Sequence, residues 1–307
     1  ICAYANRQHS LSQELTVDPS QTSFFKAMQL SEGILIILDK DATPFRRLWC
    51  AFESYVALTE PREPAMLLDV ATTVEGVGAA ILTDGLTEAE KAIKDTKLAS
   101  QLRMWRMASF PLEVLYQGLH PELHKAGVSE QSDRRHILNR IAGGADLEAE
   151  PPSEHPSYER INRRLGGLFA RTGFEKALKE GKAKSLCTAL KEDKQVPALQ
   201  FDLTSLDPDD SFVVALGQAL PPSLEHLSVN IAGCSITDAG MASLASMMPP
   251  QLLDLHMTCS AMQTLADGGL AALASHIPSM LQRLWLDVSG CENLTDAGLS
   301  ALAAKIS

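Results

Sequence analysis

The sequence predicts an α/β protein in two parts, a parallel-sheet domain followed by a stack of strand–helix repeats. Three observations carry this. The stretch Gly33–Leu58 opens with the apolar run Ile34–Leu38, turns through Asp39–Pro44 and continues into a helical segment. That is a strand–loop–helix unit, and a run apolar at every position suits a central strand covered on both faces. From Val196 onward the pattern L-x-x-L-x-L recurs at regular spacing. Apolar residues make up 45% of the 307 positions, enough for two ordinary cores.

Charge and composition narrow the function classes. Asp and Glu number 38 against 27 Lys and Arg, a net charge of −11. Nucleic acid is therefore not expected as the main partner, because phosphate binding rests on an excess of cations. No apolar run approaches the roughly 18 residues of a membrane span. The chain opens on Ile1, directly before an apparent strand, and reads as an internal piece of a longer protein. None of the six cysteines is spaced as C-x-x-C. Buried free thiols in a reducing, cytoplasmic setting are expected, without zinc.

In chain order, Ile1–Ala5 reads as a strand end, and Asn6–Asp18, with Gln8, His9 and Ser10, as a loop. Ser23–Leu30 has a helical pattern with Phe24, Ala27 and Met28 on one face. After Gly33–Leu58 come two short strands, Met66–Val70 and Ala79–Leu82. Thr87–Met107 reads as one helix, with Thr87 and Glu90 forming a capping box. Phe110–Leu115 suits either a strand or a helix start. Ser132–Ala142 is a helix ended by Gly143-Gly144, its Asp133-Arg134-Arg135-His136 start a solvated face. The Pro- and Glu-rich stretch Ala145–Ser157 reads as a linker. The expected organisation is thus 1–144 for the first domain, 145–195 for linker and capping helices, and 196–307 for about four repeats. Glu154–Lys184 is locally basic, with eight Lys/Arg against four Asp/Glu. Ile161, Leu165 and Leu168 in it are expected to cap the second domain.

The repeats share Leu224-x-x-Leu227-x-Val229, Leu252-x-x-Leu255-x-Met257 and Leu281-x-x-Leu284-x-Leu286. Helical halves follow, beginning Thr237-Asp238-Ala239-Gly240, Ala266-Asp267-Gly268-Gly269 and Thr295-Asp296-Ala297-Gly298. Asp238, Asp267 and Asp296 stand 29 apart, and Asp209, 29 before the first, suggests a fourth copy near Leu199–Leu203. The aspartates are read as first-turn residues facing helix dipoles beneath Thr caps, not as a metal ladder. This period and pattern resemble leucine-rich repeats, specifically the cysteine-containing, ribonuclease-inhibitor-like classes, with Gly233-Cys234 and Gly290-Cys291 in the turn after the strand. The resemblance implies a solenoid with a concave strand face. The third copy departs from it at Cys259 and the irregular loop Ser260–Thr264.

Trp49-Cys50-Ala51-Phe52-Glu53, placed after an apolar strand and polar loop, resembles the TIR-domain superfamily, which has a flavodoxin-like fold and a W-C-x-x-E motif. In enzymatic members that glutamate serves NAD⁺ cleavage, and Glu53 is the residue this resemblance would make catalytic. Asp39 and Arg47 stand where the family usually has serines. Without the resemblance, Glu53 reads as a helix-surface glutamate paired with Arg46 or Arg47. Trp49 reads as a plug at the sheet edge, and Cys50 and the histidines as structural.

The leading expectation is a signalling scaffold that recognises a protein partner through exposed strand positions. These are Glu225, His226 and Ser228; Leu253, Asp254 and His256; and Gln282, Arg283 and Trp285. Trp285 is the natural anchor. From Ser185 to Ser307 there are thirteen Asp/Glu against four Lys/Arg, which fits a basic partner. Self-association is compatible with this pattern, and no cofactor is implied. The alternatives are an NAD⁺ hydrolase regulated by the repeats, with NAD as substrate, and a structural subunit of a larger assembly.

Overall fold

The computed structural model describes residues 16–63, 66–76, 78–82, 87–94, 96–204, 206 and 208–306. The chain is mixed α/β and divides into two compact units between Thr172 and Gly173. The strand expected at Ile1–Ala5 and most of the loop after it lie outside the described residues. Among the described residues, no helix is long and apolar enough to cross a membrane.

In the first unit, α1 (Ser23–Leu30) is capped by Thr22, whose side chain accepts from the Phe25 N–H. It leads into β1 (Gly33–Leu38) and then, through a 3₁₀ turn, α2 (Leu48–Thr59). β2 (Leu67–Val74) lies parallel to β1, with Gly33 opposite Leu67 and Leu38 opposite Thr72. The expected strand–helix–strand unit is therefore present. The wholly parallel sheet is not, because β3 (Gly78–Leu82) returns antiparallel to β2. β1 is also an edge of the described sheet, not its centre. Ile36 and Leu38 are buried, but Leu35 and Ile37 are 55% and 63% exposed. The run that suggested two covered faces has one face in the core and one largely open. Hydropathy alone cannot tell these apart, because a strand's neighbours decide its burial.

The expected helix over Thr87–Met107 is two, α3 (Glu88–Lys91) and α4 (Thr96–Ala108). The capping box forms as read: the Thr87 hydroxyl accepts from the Glu90 N–H at 3.2 Å, and Glu90 accepts from the Thr87 N–H at 2.8 Å. Glu90 also takes Arg106 in a two-point ion pair at 2.9 and 3.0 Å, which ties the two helices together. Phe110–Leu115 resolves as the start of α5 (Leu112–Gly118).

α6 (Gln131–Ala142) ends at Gly143, whose φ of +76° permits the left-handed stop. Its charged start is not simply solvated. Asp133 accepts from the Trp49 indole N–H at 2.8 Å, and Arg134 donates to the carbonyls of His124 and Ala126. The stretch read as a linker folds back on α6. Glu148 meets the buried His136 at 2.9 Å, and Asn139 donates to the carbonyl of Ala149 at 2.7 Å. The division consequently falls later, within α7 (Pro156–Lys179). Ile161, Leu165 and Leu168, expected to cap the second domain, are buried and fall within the first unit. Neighbouring positions on α7 show why. Tyr158 donates to the Leu138 carbonyl at 3.0 Å, and Phe169 meets Phe45 edge-on at 5.3 Å.

In the second unit, α8 (Lys184–Glu192) precedes four strands: β4 (Ala198–Asp202), β5 (His226–Asn230), β6 (Asp254–Thr258) and β7 (Arg283–Asp287). They form one parallel sheet in sequential order. Between and after them come α9 (Asp210–Ala219), α10 (Asp238–Ser246), α11 (Asp267–Ser275) and α12 (Asp296–Ile306), each packed on the next. Leu199, Phe201, Leu227, Val229, Leu255 and Met257 point into the core. Ala198 pairs with His226, His226 with Asp254, and Asp254 with Arg283, so the register advances by 28, 28 and 29 residues.

That register corrects the assignment of Asp209. Asp209 is the N-cap of α9 and matches Thr237, while Asp210 is the counterpart of Asp238. The first-turn aspartates also reach further than expected, each to the next helix start. Asp210 accepts from the Thr237 N–H at 2.8 Å and its hydroxyl at 2.6 Å. Asp267 treats Thr295 identically, and Asp238 accepts from the Ala266 N–H at 2.8 Å. Gly240, Gly269 and Gly298, two residues after Asp238, Asp267 and Asp296, make room for the aspartate of the preceding helix. A Cβ on Gly240 would lie 2.2 Å from Asp210 Oδ1, and one on Gly298 2.5 Å from Asp267 Oδ1.

The third copy is more regular than its sequence suggests. Ala261 takes a φ of +56° where Gly233 and Gly290 take +68° and +72°. Its N–H donates to the Ser289 carbonyl at 2.7 Å, as that of Gly233 does to Ser260 at 2.8 Å. Cys234, Cys259 and Cys291 are buried free thiols, and burial above all pushes Cys259 up to about 12.

Candidate functional site: the outward strand face of the second unit

On each strand of the second sheet, alternate residues point away from the core. In-register parallel pairing aligns them in three rows across the sheet. The first is Ala198, His226, Asp254 and Arg283. The second is Gln200, Ser228, His256 and Trp285. The third is Asp202, Asn230, Thr258 and Asp287.

The first row is an internally matched charge line. Asp254 is held by the His226 ring through Nδ1 and by Arg283, whose Nη2 donates to Oδ2 at 2.6 Å. The Arg283 hydrogen bond, assisted by His226, lowers the Asp254 carboxyl from 3.8 to about 2. Glu225, immediately before His226 and ahead of β5, lies 4.0 Å from His226 Nε2.

The second row offers the aromatic surface. Ser228 is half-buried, while His256 and Trp285 are exposed and their ring centroids lie 3.9 Å apart, tilted by 53°. Trp285 keeps 49% of its surface exposed. A large apolar ring braced by a neighbour and left open is pre-ordered for contact, since little rotamer freedom remains to be lost on binding.

The third row closes the strand ends. Asp202 accepts from the Thr204 N–H at 3.2 Å, Asn230 from the Ala232 N–H at 3.2 Å, and Asp287 from the Ser289 N–H at 2.9 Å. These are local turns that fix the loops, so the row serves structure first.

The structure thus brings together the expected residues His226, Ser228, Asp254, His256, Arg283 and Trp285 on one face, with Glu225 beside them. Sequence reasoning missed the ion triad of His226, Asp254 and Arg283. Its signal was the regular spacing of three chargeable residues at one strand phase.

Glu53 lies elsewhere, half-buried on α2 in the first unit, one turn after Trp49. Arg46 donates to Gln117 at 3.4 Å, and Arg47 bridges to Gly127 through the backbone. A small cleft of about 150 Å³ at the start of α2 is lined by Arg46, Arg47, Leu48, Trp49 and Gly127–Ser129. Glu53 does not line it. Among the described residues, no group of three or more His, Cys, Asp or Glu is arranged to hold a metal. No protein-family model matches the chain, and no curated protein matches it.

Proposed function

We propose that the second unit is a leucine-rich-repeat solenoid whose outward strand face recognises a basic protein partner, as part of a signalling scaffold. The observation that carries this reading is Trp285, exposed and braced by His256 beside the Asp254 triad. The in-register strands, the helix ladder and the 28- to 29-residue advance support the solenoid. The acidic composition from Ser185 onward supports the sign of the partner.

The test is quantitative capture by the full chain against the double variant His256→Ala, Trp285→Ala, with Ser243→Ala on α10 as a control. Basic proteins should be retained by wild type and the control and lost from the double variant. Equal retention by all three would remove the face from consideration.

The second reading, TIR-like NAD⁺ cleavage in the first unit, is favoured by one observation: β1, α2 and β2 make a strand–helix–strand unit with Trp49 and Glu53 on its helix. It requires the full chain to release nicotinamide from NAD⁺ and Glu53→Ala to abolish that release. Turnover unchanged in Glu53→Ala would reject it.

A further inference from the structure

The start of the second unit differs in charge from the rest of it. From Gly173 to Gln195, six lysines stand against four acidic residues; from Val196 to Ser307, two basic residues stand against eleven acidic. Within the basic end lies an open groove of about 710 Å³ between α8 and α9. Lys184, Cys187, Lys191 and Glu192 come from α8, two cations against one carboxylate; Phe212, Ala215 and Gln218 come from α9. Both sets are spaced to share one helix face. The Cys187 thiol points at the Ala215 carbonyl, 3.6 Å away. Phe212 and Ala215 are half-buried and Leu178, which also lines the groove, is buried, so the groove has an apolar bed.

Lys184 and Lys191 are both exposed. Seven residues on one helix set their Cα atoms about 10.5 Å apart along the axis, two turns, on the same side of the groove. Any helix laid alongside presents side chains seven apart at that same spacing. An open groove would leave a lipid tail half in water, whereas a helix lays one apolar stripe down and keeps the other side solvated. The remaining surface of the unit is acidic and repels a negative ligand, so attraction concentrates here.

We propose that this groove docks an acidic amphipathic helix of a partner protein. Apolar side chains of that helix rest on Phe212 and Ala215, and two carboxylates seven positions apart meet Lys184 and Lys191. The site is separate from the strand face and does not depend on its role.

The test selects from a displayed library of helical peptides, apolar at i, i+3, i+4 and i+7 and random elsewhere, on the full chain. Enriched peptides should carry Asp or Glu seven apart. Their affinity should fall about tenfold in Lys184→Glu, Lys191→Glu and recover when the peptide carboxylates are exchanged for lysines. Thr188→Trp, an exposed groove position, should block them with the circular dichroism melt unchanged. The proposal is overturned if no peptide enriches, if enrichment shows no acidic preference, or if Thr188→Trp binds as wild type does. It is equally overturned if myristate occupies the groove and the charge reversal does not matter.

Discussion

At the scale of single residues, the aspartate–glycine ladder is the clearest case of one side chain dictating another. Gly240 has no room for a methyl group because Asp210 Oδ1 occupies the space. Gly240→Ala should cost about 1–3 kcal/mol, the range for overpacking. In an Asp210→Ala background the same change should cost about 1 kcal/mol less, because the closest clash has gone and only Ile236 Cγ2 at 2.9 Å remains. Urea denaturation of the four proteins measures this coupling; strict additivity would show that the carboxylate is not what excludes the side chain. Ala261 is the converse, a side chain where its neighbouring copies have glycine. A left-handed alanine costs about 1–2 kcal/mol, and glycine gives back part of that as unfolded-chain entropy. Ala261→Gly should therefore raise stability by about 1 kcal/mol in the same assay.

At the scale of elements, hydropathy found β1 but misjudged its surroundings. Ile36→Ala should cost about 2–5 kcal/mol as a buried truncation, and Ile37→Ala less than about 0.5. Two losses of equal size would mean both faces of the strand are covered. The charged row across β5, β6 and β7 gives a pH signature. The Asp254 carboxyl sits at about 2 in the folded chain, below its ordinary 3.8. Folding therefore favours the ionised form. The stabilising contribution is complete above about pH 4 and is lost as pH falls towards 2. Asp254→Asn should flatten the stability curve in that window. The capping box at Thr87 and Glu90 was legible because all its partners lie within four residues. The Arg106 contact that joins it to α4 spans sixteen and has no local signature.

At the scale of the whole molecule, the two units obey different rules of legibility. The repeats announced themselves through periodicity, and all four copies read from sequence, the degenerate one near Leu199–Leu203 included, form strands and helices in the expected order. The first unit has no period, and its boundary was misread. Pro, Glu and Ser suggested a free linker at Ala145–Ser157, yet Glu148, Leu147 and Ala149 bond to α6. Limited proteolysis with a glutamate-specific protease should spare Glu148 and Glu150 in the native protein. Asn139→Ala, His136→Ala should expose them; rapid cutting of the native chain there would argue for a true linker. The sequence by itself determined the α/β class, the repeat phase and which residues share the outward strand face. Those follow from local spacing, because side chains alternate along a strand and recur along a helix. Tertiary structure decided which face of β1 is open, the antiparallel turn of β3, the fold-back onto α6 and the aspartate reach from one helix to the next. Each depends on a partner whose distance along the chain no local pattern encodes.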